Sequence, residues 1–413
     1  MNNTDTVTDQ AAVECSFCNR NENEVGVIVA GPDNLCICDQ CVEVANQAIT
    51  TKVRKGQNKS LDKIPTPREI TTALNEYVMG QDAAKRAIST AVHNHYKRLS
   101  CNSAGDIQIQ KSNMLLLGPT GTGKTLLAQT VARQLGVPLA IVDATTLTEA
   151  GYVGDDVESI LTRLLTIADG SVERAEQGII YIDEIDKIAK KSQHVSITRD
   201  VSGEGVQQGL LKIIEGTNAN VTVRSSRKNP QEGTVTINTT NILFICAGAF
   251  VGMDKLAKER SEGTRSIGFG ATVRSDNDDQ PNDVKITPQD LVSYGMIPEF
   301  IGRLPVIAKL KQLTIADLKT ILTDPKDSIV KQYQQIFAME NQDLVFTEDA
   351  LEAIAKKAIE RKTGARGLRA IIEEILADAM HDLPGEADVQ EVLVTADVVE
   401  EKSPVIVNRR KAA

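Results

Sequence analysis

The apolar residues of the chain follow two different patterns, and the change occurs near Leu313. Before that point, short and nearly continuous apolar runs predict buried strands of a parallel sheet, because helices cover such strands on both faces. These predicted strands span residues 114–117, 139–142, 178–182 and 241–247. After Leu313, apolar residues recur at helical spacing over residues 314–323, 326–339, 348–361 and 367–381. Short strand patterns in the same region lie near residues 343–346 and 390–395. The patterns predict an α/β domain followed by a smaller α+β domain.

Polar stretches divide the chain into segments. Residues 51–67 are polar and basic and end in Pro65 and Pro67, which is typical of a linker. A helical pattern then covers residues 68–99, with an interruption at 77–81. Polar stretches near 190–205 and 252–287 predict long loops. We therefore predict a small domain over residues 1–50, a linker over 51–67, a large domain over 68–311, a small α+β domain over 312–402 and a frayed tail over 403–413.

A glycine-rich segment follows the first predicted strand of the large domain. It reads GPTGTGKT from Gly118 to Thr125, and a helical pattern continues from Leu126 to Leu135. This spacing is typical of a phosphate-binding loop, in which backbone N–H groups and the positive end of a helix surround a phosphate. A plain glycine-rich turn is the alternative. The predicted nucleotide contacts are Gly118, Pro119, Thr120, Gly121, Thr122, Gly123, Lys124, Thr125 and Leu126. Among them, Lys124 is expected to reach the phosphates and the Thr125 hydroxyl to bind Mg²⁺.

Two carboxylates end the third predicted strand, at Asp183 and Glu184. An apolar strand that ends in two acids is a weak signal alone, but it is strong when it follows a phosphate-binding loop. We predict that Asp183 helps to hold Mg²⁺ and that Glu184 polarises the attacking water in ATP hydrolysis.

Cysteines cluster near the amino terminus in two Cys-x-x-Cys pairs, Cys15 with Cys18 and Cys38 with Cys41. This spacing is typical of a four-thiolate Zn²⁺ site, which would stabilise a domain with too little apolar core to fold alone. Disulfides or a redox pair are the alternatives. Cys36 is a fifth thiol, which we interpret as a bystander that could still compete for the metal.

The overall charge limits the classes of partner. The chain has 56 acidic and 46 basic residues, a net charge of −10, and no tryptophan. This balance argues against binding of nucleic acid or anionic membranes. Residues 13–50 hold six acids and a single base, Arg20, so the cysteine-rich segment favours a protein partner over DNA. The start of the chain lacks the pattern of a signal peptide, and no apolar run is long enough to span a membrane, so we expect a cytoplasmic protein.

From about Val13 to Glu400 the chain resembles the ClpX family of AAA+ P-loop NTPases, which unfold proteins and feed them to the ClpP peptidase. Residues 77–81 are similar to the family's adenine-side motif, which includes Val78. Residues 298–303 resemble the motif whose arginine, here Arg303, reaches the ATP of a neighbouring subunit. Residues 364–366 resemble the small-domain motif whose arginine, here Arg366, touches phosphate. A surface ion pair for Arg303 and a solvated helix start for Arg366 are the plain alternatives.

Further motifs of the family concern substrates and the peptidase. Residues 151–154 are similar to its upper pore loop and residues 196–204 to its second pore loop, which implies substrate contacts by Tyr152, Val153 and Arg199. The tripeptide with which the family docks on ClpP is matched by Ile267, Gly268 and Phe269. The basic loop of the family usually reads Arg-Lys-His, whereas here it reads Arg227, Lys228 and Asn229. Attraction of acidic substrate ends should therefore persist in altered form.

The resemblance implies a homohexamer that uses ATP, Mg²⁺ and Zn²⁺ and acts on protein substrates and adaptor proteins together with ClpP. An AAA+ motor or remodeller that acts on nucleic acid is the main alternative, because the ATPase core is shared among these classes. A binding module without ATPase activity would not need the intact set of Lys124, Thr125, Asp183 and Glu184. Another protease-linked AAA+ unfoldase is the nearest alternative within the enzyme class, and the cysteine pairs favour the ClpX family over it.

Overall fold

A computed structural model describes most of the chain. The described residues are 14–21, 23–32, 35–45, 64–101, 109–148, 155–190, 203–223, 233–263, 285–386 and 388–409. The chain forms two compact units, Met1–Lys63 and Ile64–Ala413. Among the described residues, no helix is long and apolar enough to cross a membrane.

The first unit is built around its cysteines. Strand β1 (Ile28–Ala30) pairs antiparallel with β2 (Cys36–Cys38), and a short helix α1 (39–45) follows directly. Among the described apolar and cysteine side chains of this unit, those that are buried are Cys15, Cys36 and Cys38. Burial of so few apolar side chains cannot offset the entropy of ordering the chain, so another source of stability is needed.

The second unit contains the remaining elements. Those of its first part are α2 (Pro67–Tyr77), α3 (Asp82–Cys101), β3 (Met114–Leu117), α4 (Lys124–Leu135), β4 (Leu139–Asp143), β5 (Leu147–Thr148), β6 (Asp155–Asp156), α5 (Ser159–Ile167), α6 (Val172–Glu176), β7 (Ile179–Asp183), α7 (Glu204–Glu215), β8 (Asn218–Val223), β9 (Gly233–Asn238), β10 (Leu243–Gly248), α8 (Met253–Gly263), α9 (Pro288–Tyr294), α10 (Pro298–Gly302) and β11 (Val306–Lys309). Those of its second part are α11 (Ile315–Thr323), α12 (Ile329–Met339), β12 (Asp343–Phe346), α13 (Glu348–Glu360), α14 (Ala365–Asp382), β13 (Val389–Val394), α15 (Ala396–Val399) and β14 (Ile406–Arg409).

A five-stranded parallel sheet organises the first part, with the strand order β11-β3-β10-β7-β4. All residues of β3 and β10 are buried, as expected for strands covered on both faces. The four predicted strands are confirmed. The sequence analysis missed the fifth strand, β11, because it lies at the sheet edge, where most of its residues are only partly buried.

Helix α8 corrects one prediction. We expected a long polar loop over residues 252–287, but residues 253–263 are helical. Met253 and Ala257 are buried, and the Nε of Arg260 donates to Asp290 Oδ1 at 2.7 Å, which joins α8 to α9. The helix was missed because charged residues occupy most of its positions and leave little apolar periodicity.

The second part has a hydrophobic core of its own. In its sheet, β13 pairs parallel with β12 and antiparallel with β14. The prediction of a frayed tail from residue 403 is therefore wrong for residues 406–409, which form β14. Val405 and Val407 pack against the core, and this burial explains the order of the segment. The predicted strands and helices of this part are confirmed, with differences of a few residues at their ends.

Candidate functional site

The glycine-rich segment connects β3 to α4 at the carboxyl edge of the sheet. Gly121 and Gly123 have φ angles of 80° and 93°, which only glycine adopts without strain. Gly123 is the N-cap of α4, so the first N–H groups of this helix are at the loop. This arrangement provides the N–H donors and the helix end that an anionic phosphate requires.

Lys124 is turned into the loop. Its Nζ donates to the carbonyl oxygens of Gly118, at 2.6 Å, and Pro119, at 2.9 Å. Burial lowers the pKa of Lys124, while the nearby carboxylate of Asp183 opposes this change. A buried ammonium held only by carbonyl oxygens lacks an anionic hydrogen-bond partner, and a phosphate within the loop would supply one.

Thr125 lies at the amino end of α4, where its side chain meets that of Asp183 at the carboxyl end of β7. The Thr125 hydroxyl donates to Asp183 Oδ2 at 3.2 Å. Hydroxyl and carboxylate oxygens are ligands that Mg²⁺ prefers, so the pair fits a magnesium site beside the loop. The sequence reasoning missed Tyr181, whose hydroxyl lies 3.2 Å from Thr125 Oγ1.

Glu184 follows Asp183 with a left-handed backbone, φ 54° and ψ 32°. Its N–H donates to Asp183 Oδ1 at 3.0 Å, and its side chain is exposed. A non-glycine residue in this region is uncommon, and such conformations cluster at functional sites. The exposed carboxylate at the strand end can reach water beside the phosphate loop.

Asp186 is a second residue that sequence reasoning missed. Its carboxylate is buried and accepts the N–H groups of Ala249 at 3.2 Å and Phe250 at 3.3 Å. A Cβ at Gly248 would lie 2.6 Å from Asp186 Oδ1, so only glycine permits this approach. These hydrogen bonds connect the residues that directly follow β10 to the turn after Glu184. The only local signal was a third acid shortly after Asp183 and Glu184.

The second part of the unit contacts the phosphate loop directly. A Cβ at Gly364 would lie 3.0 Å from the Thr120 carbonyl oxygen, and one at Gly121 would lie 2.9 Å from that of Thr363. Arg366 lies in the first turn of α14, two residues beyond this contact, and its side chain is exposed. After burial, its positive charge is one of the causes that lower the pKa of Lys124. Arg366 thus lies near enough to Lys124 for the two positive charges to affect each other.

Val78 lies beside the last glycine of the loop. It is buried, and a Cβ at Gly123 would lie 3.8 Å from its Cγ1. Three residues later, the side chain of Gln81 donates to the carbonyl oxygen of Lys311 and accepts its N–H, both at 2.8 Å. This segment therefore connects the phosphate loop to the chain that enters α11.

Arg303 is not brought to the phosphate loop of its own chain. It precedes β11, which is parallel to β3, whereas the loop follows β3. Arg303 therefore lies at the amino edge of the sheet, where its carbonyl oxygen accepts Asn113 Nδ2 at 3.1 Å. Its guanidinium pairs with Glu215 Oε1 at 2.6 Å.

The four predicted metal ligands converge in the first unit. The Sγ atoms of Cys15, Cys18, Cys38 and Cys41 all lie within 4.8 Å of one another. The Cys18 and Cys38 sulfurs are 3.7 Å apart, close to the distance of about 3.8 Å between thiolates in tetrahedral zinc coordination. Cys36 is buried in the same unit but is not among the clustered residues.

The same thiols influence one another's ionisation. Burial opposes ionisation of Cys15, but hydrogen bonds from the backbone N–H groups of Phe17, Cys38 and Cys18 and from the Cys18 thiol together lower the pKa of Cys15 to about 6. Burial and the neighbouring thiols raise the pKa of Cys41 to about 12. Four thiolates side by side need a cation to neutralise them, so the site fits Zn²⁺.

Several residues named from the sequence lie outside the described ranges. They are Tyr152, Val153, Arg199, Arg227, Lys228, Ile267, Gly268 and Phe269.

Comparison with known proteins identifies the family. Residues 13–51 match the ClpX C4-type zinc finger, residues 109–307 an AAA domain of the Cdc48 subfamily, and residues 313–395 the C-terminal D2-small domain of ClpB protein. The ATP-dependent Clp protease ATP-binding subunit ClpX of Treponema denticola is 51% identical over 392 residues, which are 94% of each chain. The chain belongs to the ClpX family. Its nucleotide is ATP, its metal at the four cysteines is zinc, and its AAA domain is an ATPase.

Proposed function

We propose that the chain is an ATP-dependent protein unfoldase of the Clp protease, which recognises substrate proteins, unfolds them and moves them into the ClpP peptidase. The observation that carries this proposal is the identity of 51% with a Clp ATP-binding subunit across 94% of both chains. The arrangement of the phosphate loop and the two strand-end acids supports it, since both halves of an ATPase site are adjacent.

In this proposal each residue of the site has one task. Lys124 and the N–H groups from Gly118 to Leu126 bind the phosphates of ATP. Thr125 and Asp183 hold Mg²⁺, and Glu184 polarises the water that attacks. Mg²⁺ bound there neutralises negative charge on the phosphates. Val78 packs on the adenine side, as its burial beside Gly123 supports.

Arg303 acts on the ATP of a neighbouring subunit in a homohexamer. Its place at the amino edge of the sheet supports this role, since the loop of its own chain lies at the other edge. The ion pair with Glu215 is partly exposed, so it contributes at most about 1 kcal/mol and can be exchanged for a phosphate at small cost.

Arg366 links ATP to movement of the small domain. We place the large domain at residues 68–311 and the small domain at 312–402. Their separate hydrophobic cores support this division, because the first core ends at Leu304 and the second begins at Leu318. The contact between Gly121 and Gly364 supports this role, because Arg366 follows Gly364 by two residues.

Substrate grip is assigned to Tyr152, Val153 and Arg199, with Arg227 and Lys228 attracting acidic substrate ends. Burial of one tyrosine or valine yields roughly 1.5–3 kcal/mol, whereas a domain resists unfolding by roughly 5–15 kcal/mol. One loop cannot unfold a protein alone, so a ring in which several loops pull on one substrate fits the task. Docking on ClpP is assigned to Ile267, Gly268 and Phe269.

The zinc-binding domain, residues 1–50, is assigned to substrates and adaptor proteins in the cytoplasm, with residues 51–67 as its linker. Zinc holds this domain together through Cys15, Cys18, Cys38 and Cys41. Its acidic composition opposes stable binding to nucleic acid.

The rate of ATP hydrolysis with different polymers tests the proposal. We expect an unfolded protein to stimulate hydrolysis and double-stranded or single-stranded DNA to leave it unchanged. With ClpP added, a stably folded substrate with a recognised tag should be degraded only when ATP is present. Stimulation by DNA and not by protein would favour a nucleic-acid motor instead.

A further inference from the structure

Tyr181 lies on β7 two positions before Asp183, so both side chains are on the same face of the strand. Its side chain is fully buried, and its hydroxyl is 3.2 Å from Thr125 Oγ1. The function proposed above gives roles to Thr125 and Asp183 but none to this hydroxyl. A phenylalanine would fill the same apolar space without bringing a polar group into the core.

The strengths of the acceptors around Thr125 assign a direction to this contact. A threonine hydroxyl has one hydrogen and two lone pairs. We assign its hydrogen to Asp183 Oδ2, 3.2 Å away, because a carboxylate is a stronger acceptor than a phenol hydroxyl, and Tyr181 then donates in the contact with Thr125. One lone pair of Thr125 Oγ1 is then occupied, and the second remains available to a cation.

We propose that Tyr181 is a positioning residue for Mg²⁺, because it holds the Thr125 hydroxyl in the rotamer that presents its second lone pair to the metal. The chain of donors runs from Tyr181 to Thr125 to Asp183, and each bond polarises the next. Its two hydrogen bonds, with Tyr181 and with Asp183, therefore orient the Thr125 hydroxyl before the nucleotide binds. This inference rests on the proposed function, since it requires Mg²⁺ to bind Thr125 and Asp183.

The test is the Mg²⁺ dependence of nucleotide binding to the full chain. A fluorescent ATP analogue is titrated against the wild type and Tyr181→Phe in EDTA and at a series of free Mg²⁺ concentrations. Loss of one neutral hydrogen bond should raise the Mg²⁺ concentration for half-maximal binding by about three- to tenfold. Affinity in EDTA should stay within about twofold, because the contacts of Lys124 and the loop are unchanged.

Tyr96→Phe is the matched control. Tyr96 is also fully buried, and its hydroxyl donates to the Gln177 carbonyl oxygen at 3.0 Å, with no contact to Thr125. This variant loses a buried hydroxyl as well but should keep the Mg²⁺ dependence of the wild type. An unchanged dependence in Tyr181→Phe, or an equal change in both variants, overturns the positioning role.

A third variant, Thr125→Ala, distinguishes an error in the role of Tyr181 from an error in the proposed Mg²⁺ site. It should weaken Mg²⁺-dependent binding more than Tyr181→Phe does, because it removes the ligand itself. If Thr125→Ala leaves the Mg²⁺ dependence unchanged, the metal pair is wrong and the role of Tyr181 is overturned with it. If Thr125→Ala has its effect and Tyr181→Phe does not, only the role of Tyr181 is overturned.

Discussion

The guanidinium of Arg303 lies 2.6 Å from the carboxylate of Glu215, at the edge of the sheet opposite to the phosphate loop. Glu215 is the last residue of α7, a helix whose residue Gln207 accepts the N–H of Ile297 immediately before α10. Arg303 is therefore held by an acid of its own chain while it is positioned away from its own ATP site. This position agrees with the proposed action of Arg303 on a neighbouring subunit.

Mixing two inactive variants tests action between subunits. Arg303→Ala chains keep Glu184, and Glu184→Gln chains keep Arg303, so a mixed ring contains interfaces in which both intact groups meet. We expect mixed hexamers to regain part of the ATPase activity that either variant lacks, measured by phosphate release. The control mixes Glu184→Gln with the double variant, which offers no intact Glu184. No recovery in rings shown to be mixed would place the action of Arg303 within its own chain.

Substitution of Glu184 and substitution of Lys124 should impair different steps, hydrolysis of ATP in the first case and binding of ATP in the second. Glu184→Gln keeps the shape of the side chain but removes the base, so hydrolysis should fall by a factor of about 100 or more while ATP still binds. Lys124→Ala removes the charge within the phosphate loop and should weaken binding itself. Equilibrium binding and single-turnover hydrolysis of the same preparations separate the two effects. Near-normal turnover by Glu184→Gln would contradict the assignment of the base.

The approach of Gly364 to the phosphate loop predicts a stereochemical effect. Gly364→Ala places a Cβ 3.0 Å from the Thr120 carbonyl oxygen at a φ of 57°. Gly385→Ala is the matched control, since Gly385 has a φ of 86° and open space around it. Both variants should lose stability from a positive φ, and Gly364→Ala should lose more, because its φ of 57° with a ψ of −148° lies close to a region that is essentially restricted to glycine. Only Gly364→Ala should also weaken ATP binding severalfold, and equal affinities in the two variants would mean that this contact does not affect the nucleotide.

The features that could be predicted from the sequence are those that a short run of neighbouring residues defines. The phosphate loop, the strand that ends at Asp183 and the cysteine pairs are each defined by neighbouring residues, and apolar runs indicated four strands of the sheet. Helix α8 and strand β14 were missed because contacts distant in sequence stabilise them. The Arg260 and Asp290 pair joins α8 to α9, and Val407 packs on the second core.

Contacts within the candidate site could not be predicted from the sequence for the same reason, because they join residues that are distant along the chain. In the sequence, Tyr181 is one more residue of a predicted buried strand. Its distance to Thr125 in the structure shows that its hydroxyl contacts one of the two predicted Mg²⁺ ligands. Asp186 accepts backbone N–H groups from the end of β10, more than sixty positions along the chain. The contact between Gly121 and Gly364 joins parts of the chain that no spacing rule connects. Such contacts depend on the folded topology.

Zinc should be required for folding of the first unit. Cys38→Ser removes a sulfur that lies 3.7 Å from Cys18 Sγ, and the remaining three thiolates cannot complete a tetrahedral site. We expect this variant to lose its zinc, measured by elemental analysis, and the wild type to hold about one zinc per chain. Because the described part of this unit buries few apolar side chains, its amide protons should lose protection from exchange when zinc is lost.

Cys36→Ser is the matched control for this loss. Cys36 is also a buried cysteine of β2, but its sulfur is not among the four that cluster. The variant should keep about one zinc per chain, because all four thiolates remain. ATP hydrolysis should persist in both variants, since the residues assigned to ATP all lie in the second unit. Loss of zinc from Cys36→Ser together with its retention in Cys38→Ser would mean that Cys36 is a ligand and that Cys38 is not.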